Sequence, residues 1–142
     1  NFYLIAIASH LNNYKISWLL NEEMNFKFQQ SEELIVQDQK NGNTSKFGVF
    51  EYEENPESVY TIYANRSGNE VLLKSNKNID YILKYHGNLS TLQIKQLIEK
   101  LKTLKNILTV FEIDKSGLKP KELELFIWKI IVQYFTLGLY YK

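Results

Sequence analysis

The chain has 142 residues, and its 17 basic and 16 acidic side chains give a formal net charge of +1 at pH 7. This length suits one domain, and a hydrophobic content of 44% predicts a buried core rather than disorder. The absence of cysteine excludes disulfides, thiolate nucleophiles and cysteine-ligated zinc, and the balanced charge argues against a strongly basic nucleic-acid binder. No secretion signal is visible at the start of the sequence, so we expect a cytoplasmic protein.

The first half of the chain predicts an antiparallel sheet. Phe2 to His10 is apolar on both faces, which is typical of a strand buried on both sides. Residues 13–24 allow two interpretations. In the one that we favour, alternation from Tyr14 to Trp18 forms a hairpin strand and a short helix follows over residues 19–24. In the other, the whole segment is one helix. Short alternating runs over residues 26–85, separated by turns such as Asn41-Gly42-Asn43, predict a meander of further strands.

A capped helix follows this predicted sheet. Ser90 and Gln93 form the pattern of a capping box, in which each side chain bonds the backbone amide of the other residue. Apolar residues then recur at helical spacing as far as Leu104. We therefore predict a helix over about 90–105 that packs on the sheet.

The last part of the chain predicts one more strand and one more helix. Residues 107–113 are mostly apolar on both faces and indicate a second central strand beside the first one. Pro120 suits the first turn of an apolar helix over about 120–138. The whole sequence thus predicts a single α+β domain over residues 1–142, with a mainly antiparallel sheet of about six to eight strands.

The residue patterns predict no enzyme active site and no cofactor. His10 and His86 each lack a second histidine at ligand spacing, whereas a metal site needs three or four converging ligands. No glycine-rich phosphate loop is present. The acidic residues from Glu51 to Glu57 are best interpreted as a solvated turn. We therefore predict no catalytic, cofactor-binding or metal-binding residues.

Arg66 is the one arginine in a chain that otherwise uses lysine. Its planar guanidinium can donate two hydrogen bonds to one carboxylate, which lysine cannot do. We expect a structural, partly buried ion pair with Asp80 or Glu112. The alternative is that Arg66 binds a small anionic ligand.

Residues 122–142 are apolar around nearly the whole circumference of the predicted helix, so this segment is a candidate interface element. A contact with a second copy or another protein ranks first, a fully buried core helix second, and weak membrane contact third. The candidate interface residues are Leu125, Phe126, Trp128, Ile131, Val132 and Phe135.

These observations favour a non-catalytic protein-interaction or adaptor module that acts through a homodimer or a larger complex. An RNA- or ribosome-associated factor is an alternative, based on the lysines of the 90–105 helix and on ten tyrosines. A small-ligand-binding protein that uses Arg66 is a further alternative.

Several stretches of the chain also follow a known pattern: Ile5 to His10, Asn65-Arg66-Ser67, Asn78 to Leu83, Gly87-Asn88, and Leu108 to Asp114. Over residues 2–126 they resemble the IPExxxVDY family of Bacteroidetes. The Val-Asp-Tyr part corresponds to Ile79-Asp80-Tyr81, whereas Leu73-Lys74-Ser75 stands at the Ile-Pro-Glu position. The resemblance implies a small cytoplasmic protein and no particular activity.

Overall fold

Ten strands, three α-helices and two short 3-10 helices, Lys74–Asn76 and Lys115–Gly117, lie in the part of the chain that the computed structural model describes, residues 2–38 and 40–127. The strands are β1 (Phe2–Ala8), β2 (Gln29–Gln30), β3 (Leu34–Gln37), β4 (Thr44–Phe47), β5 (Val49–Asn55), β6 (Ser58–Ala64), β7 (Arg66–Ser67), β8 (Glu70–Val71), β9 (Tyr81–His86) and β10 (Thr109–Glu112). The helices are α1 (Asn13–Met24), α2 (Thr91–Lys102) and α3, which covers residues 120–127 of the described part.

Six of these strands form one antiparallel sheet in the order β10-β1-β9-β6-β5-β2. Two smaller hairpins, β3 with β4 and β7 with β8, complete the strand pairing of the described residues. The predicted α+β class with a mainly antiparallel sheet is therefore confirmed.

Each face of the large sheet carries its own apolar core. Ile5 and Ile7 of β1 point to the face covered by α1 and α2. Leu4 and Ala6 point to the opposite face, where they join a second cluster that includes Phe126 of α3. Successive side chains of a strand alternate between faces, so a strand covered on both sides must be apolar at every position. This explains why β1 is correctly predicted as a central strand.

The favoured interpretation of Tyr14 to Trp18 as a hairpin strand is wrong, because these residues and the helix predicted after them form one helix, α1. The Asn12 side chain caps this helix by accepting a hydrogen bond from the Lys15 backbone amide at 3.0 Å. Ile16 and Leu20 lie one helical turn apart and are buried against the sheet. Tyr14 and Trp18, which the strand prediction placed on one face with Ile16, lie on the exposed side of α1.

The strand predicted over residues 107–113 is paired with β1 as expected, but it is not central. β10 lies at one end of the sheet order and pairs with β1 alone. Within it only Val110 is buried, whereas Phe111 and the preceding Leu108 are exposed. An apolar run can form either kind of strand, because its composition does not show how many neighbours it will have.

The capping box of α2 is present in the structure. The Gln93 amide donates to Ser90 Oγ at 3.2 Å, and the Ser90 amide donates to Gln93 Oε1 at 2.8 Å. We expect Ser90→Ala to lower the free energy of unfolding by about 1 kcal/mol. Ser90→Gly should lower it by only a few tenths of a kcal/mol, because glycine is tolerated better at an N-cap. Urea unfolding of both variants measures this difference. An unchanged free energy of unfolding in Ser90→Ala would show that the hydroxyl does not stabilise the helix start.

Candidate interaction groove

A groove of about 1360 Å³ lies on the side of the sheet opposite α1 and α2. Its apolar walls come from Leu34 and Ile35 of β3 on one side and from Leu125 and Ile127 of α3 on the other. The remaining lining residues belong to the approach to β2 and β3, to β5 and β6, and to α3: Lys27, Gln29, Gln30, Ser31, Glu32, Glu33, Val49, Glu51, Tyr52, Glu53, Tyr63, Lys121 and Glu124. We call this feature the acidic groove.

The charges around the acidic groove are unequal. Five glutamates line it, whereas two lysines do so. Except for Glu51, which is half-buried, these charged residues are exposed and therefore lie at the rim. An apolar trough with a negative rim is chemically suited to an apolar segment that carries positive charge.

A row of polar side chains crosses the sheet beside this groove. Glu51 of β5, Thr61 of β6 and Lys84 of β9 are register partners on neighbouring strands, and Thr61 and Lys84 are both buried. Burial raises the pKa of the nearby Tyr63 phenol well above its usual value, and the negative charge of Glu51 adds to this effect. A tyrosine with its usual pKa is already protonated at neutral pH, so this shift leaves the neutral phenol in the groove lining unchanged there.

The start of α3 is attached to the rest of the fold by Glu122. This carboxylate accepts hydrogen bonds from Ser75 Oγ at 2.6 Å and from the Lys119 amide at 3.2 Å. Burial alone would raise the pKa of Glu122, but the hydrogen bonds from Ser75 and Lys119 outweigh it and hold the pKa below its usual value. The helix that forms one wall of the groove thus begins at a defined position.

The assignment of Phe126 to an interface is corrected by the structure. Phe126 is completely buried in the second core cluster, and its ring meets the Tyr63 ring edge-to-face at a centroid distance of 5.1 Å. Lys84 Nζ donates to the Phe126 carbonyl at 2.7 Å, which attaches the helix to β9. Leu125, the neighbouring candidate, is half-buried at the groove wall.

The other four candidate interface residues cannot be assigned a position, because they lie outside the described residues. They are Trp128, Ile131, Val132 and Phe135.

The expected ion pair of Arg66 forms with Asp80 and not with Glu112. Arg66 Nε lies 3.1 Å from Asp80 Oδ1, and Nη2 donates to the Lys77 carbonyl at 2.6 Å. Glu112 was a poor candidate because it lies on the exposed edge strand β10, opposite Ile5. The Asp80 carboxylate also accepts from the Ser9 amide at 2.8 Å, so the pair connects three separate parts of the chain.

Asn65, next to this ion pair, is a structural residue that the sequence analysis missed. Its side chain is fully buried and makes three hydrogen bonds with the backbone of the segment between β8 and β9. The Asn65-Arg66-Ser67 triplet was the available signal, because asparagine commonly bonds nearby backbone groups where strands end.

We expect Arg66→Ala to lower the free energy of unfolding by about 1 kcal/mol, because an exposed ion pair contributes little. The Arg66 and Asp80 side chains are 48% and 27% exposed, so solvent weakens their attraction. Arg66→Lys should restore less than half of the loss, since lysine cannot donate to Asp80 and the Lys77 carbonyl in the same geometry. Urea unfolding of both variants tests this; complete unfolding of Arg66→Ala would contradict it.

Residues 2–38 and 40–127 offer neither a metal site nor a membrane-spanning helix. These residues contain no cluster of three or more histidine, aspartate or glutamate side chains that could hold a metal ion. None of their helices combines the length and apolar character needed to cross a membrane.

No protein-family model matches the chain, and no curated protein is significantly similar to it. The resemblance to the IPExxxVDY family therefore stays a prediction.

Proposed function

We propose that this chain is a cytoplasmic, non-catalytic protein-interaction module and that the acidic groove is its docking surface. The observation that carries the proposal is the combination of apolar walls with a rim of four exposed glutamates against two lysines. Side chains from β3, β5, β6 and α3 meet at the groove, so its shape depends on the tertiary structure and not on one mobile loop.

The groove favours a particular partner chemistry. Leu34, Ile35, Leu125 and Ile127 supply apolar surface that gains free energy when it is removed from water, at about 25 cal/mol per Å². The glutamates of the rim attract lysine or arginine side chains and repel acidic ones. We therefore propose that the partner contributes an apolar segment bearing basic residues and few or no acidic ones.

The two alternative functions have weaker support. The Arg66 guanidinium already donates to Asp80 and to the Lys77 carbonyl, which argues against a free anion-binding fork. On α2, Lys102 is paired with Glu99 at 3.0 Å, so this helix presents mixed charge rather than a purely basic stripe to RNA.

Site-directed photo-cross-linking in the cells that make the protein tests the proposal. A photoreactive phenylalanine analogue replaces Ile35 at the groove wall or, as the matched control, Leu92 on α2. Both positions are exposed to a similar extent, 61% and 64%, and Leu92 does not line the groove. We expect a protein adduct from position 35 that is absent at position 92.

Charge reversal at the rim adds specificity to this experiment. Glu33→Lys together with Glu53→Lys should reduce the yield of the position-35 adduct, because both side chains are exposed lining residues. The cross-linked partner peptide should be apolar and basic. Identical adducts at positions 35 and 92, or an adduct that ribonuclease removes, would contradict a groove-based protein interaction.

A further inference from the structure

We infer that the partner of the acidic groove binds as an extended strand that pairs with the outer edge of β3, with apolar and basic residues at alternating positions. This inference rests on the proposed function, because it names the conformation and the sequence pattern of the same partner. The outer edge of β3 is the side of this strand that does not face β4.

The backbone of β3 has two sets of hydrogen-bonding groups, and only one set faces β4. The two strands are antiparallel, and just beyond them the Asp38 amide donates to the Asn43 carbonyl at 2.8 Å. Opposed residues of an antiparallel pair alternate between bonded and non-bonded positions. Val36, two residues before Asp38, is therefore bonded to β4. The amides and carbonyls of Ile35 and Gln37 point to the outer edge.

The outer edge of β3 borders the acidic groove. Leu34 and Ile35 of β3 line it together with Glu33, the residue just before the strand. Successive side chains of a strand point to opposite faces, so a groove that met one face alone would be lined by every second residue. The backbone edge itself therefore faces the groove, and among the described strands β3 pairs with β4 alone.

β3 also lacks the features that usually keep a strand edge from pairing with another chain. Such edges are normally protected by a bulge, by proline or by charged residues. The four residues of β3, Leu34–Gln37, include no charge and no proline, and Ile35 is 61% exposed. By contrast, the far end of β5 carries Glu53 and Glu54 and has an irregular register there. β3 is therefore the better site for strand addition at the groove.

An extended segment can use this edge, whereas a helix cannot. The backbone groups of a helix are already paired with one another except at its ends, so a helix would bind the groove through its side chains. An added strand forms main-chain hydrogen bonds with Ile35 and Gln37 as well. These bonds supply binding free energy that does not depend on the partner's side chains.

The two sides of β3 set the sequence pattern of the partner strand. Leu34 and Val36 are half-buried against the second core cluster. Glu33 and Ile35 are exposed on the other side. Side chains of an added strand alternate in the same way and lie beside those of β3. We therefore expect apolar residues at every second position, between the opposite walls at Leu34 and Leu125, and basic residues between them, next to Glu33.

Amide hydrogen exchange of the full chain, followed by NMR, tests the hydrogen-bonding pattern. The probe is a short synthetic peptide in which leucine alternates with lysine. A control peptide has the same composition, with leucine at helical spacing. In the free chain we expect slow exchange at Val36 and fast exchange at Ile35 and Gln37. The alternating peptide should slow exchange at Ile35 and Gln37 by at least about 10-fold and leave Val36 unchanged.

Ile35→Pro tests the outer edge directly, because it removes the outward amide and keeps the bonds to β4. Proline is tolerated in an edge strand where the missing N–H would face solvent. We expect the alternating peptide, labelled with fluorescein, to bind this variant roughly 10-fold more weakly in fluorescence anisotropy. The control Ile35→Val keeps the amide and a branched side chain and should change the Kd by less than about 3-fold.

A backbone ester provides a second variant if Ile35→Pro does not fold. The α-hydroxy acid analogue of isoleucine at position 35 removes the same N–H and leaves the side chain unchanged. It should weaken binding of the alternating peptide in the same direction as Ile35→Pro, because the same donor is lost.

The outcomes separate this inference from the proposed function. Equal peptide binding with and without the position-35 N–H, or unchanged exchange at Ile35 when the alternating peptide is added, would overturn the inference. Tighter binding of the helical control peptide would do the same and leave the groove as a docking surface for a helix. Protection at the edge strand β10 in place of β3 would also overturn it. The proposed function is contradicted separately, by the absence of a groove-specific adduct at position 35 in cells.

Discussion

Replacing Asn65 with alanine should lower the free energy of unfolding by about 4 kcal/mol, because three hydrogen bonds, two of them buried, lose their side-chain partner. The Asn65 amide nitrogen donates to the carbonyls of Asn76 and Ile79 at 3.0 and 2.9 Å, and its oxygen accepts from the Leu73 amide at 2.8 Å. The Ile79 carbonyl and the Leu73 amide would be left buried without this partner, whereas the half-buried Asn76 carbonyl still accepts from the Ile79 amide at 3.4 Å. Urea unfolding followed by circular dichroism measures the loss.

Two matched variants separate hydrogen bonding from side-chain volume. Asn65→Asp has nearly the same shape and keeps an acceptor for the Leu73 amide, but it loses both donated bonds and buries a carboxyl group, so we expect it to be at least as unstable. Asn69→Ala alters an exposed asparagine in the nearby turn and should change stability by less than about 0.5 kcal/mol. A loss below about 1 kcal/mol for Asn65→Ala would show that the buried bonds are readily replaced.

Replacing Phe126 with alanine should lower the free energy of unfolding by about 3–5 kcal/mol, which is the usual cost of removing a buried aromatic side chain. The Phe126 ring is fully buried and packs edge-to-face on Tyr63. Its loss would leave a cavity where α3 meets the sheet. Thermal or urea unfolding at two protein concentrations measures the effect.

Phe111→Ala is the matched control for this variant, because Phe111 is 38% exposed on the edge strand β10. We expect it to cost less than about 1 kcal/mol. If Phe126 were instead an interface residue, Phe126→Ala would reduce stability only at concentrations where the chain associates. A concentration-independent loss supports a core role, and an unchanged midpoint in the dilute sample would contradict it.

Local features of this structure were easier to predict from the sequence than features that depend on long-range packing. The capping box at Ser90 and the buried strand β1 were predicted correctly, and the observed α2, Thr91–Lys102, is shorter at its C-terminal end than the predicted 90–105 helix. The strand predicted over Tyr14 to Trp18 was wrong because Tyr14, Ile16 and Trp18 recur at the spacing of a strand, whereas the residues that face the sheet, Ile16 and Leu20, recur at the spacing of a helix. Burial of Ile16 and Leu20 against the sheet made the helix the stable choice.

The acidic groove could not be predicted because its parts are far apart in the sequence. Its walls come from β3, near residue 35, and from α3, near residue 125. Each part alone is a short apolar run or a group of glutamates. Such patterns are common in protein sequences and do not indicate a groove. The apolar pattern near residue 125 also does not distinguish the buried Phe126 from the half-buried Leu125.

Three features could be predicted from the linear sequence. They are the α+β class, the start of α2, and Asp80 as one of two candidate ion-pair partners for Arg66. These features depend on periodicity, on caps a few residues apart and on the scarcity of arginine, all of which are visible in the linear chain. Three other features became visible only in the folded structure. β10 is an edge strand, Asn65 forms hydrogen bonds with the segment before β9, and β3 and α3 form the walls of a groove. Those outcomes depend on which distant segments pack together, and this is set by burial over the whole fold rather than by any local pattern.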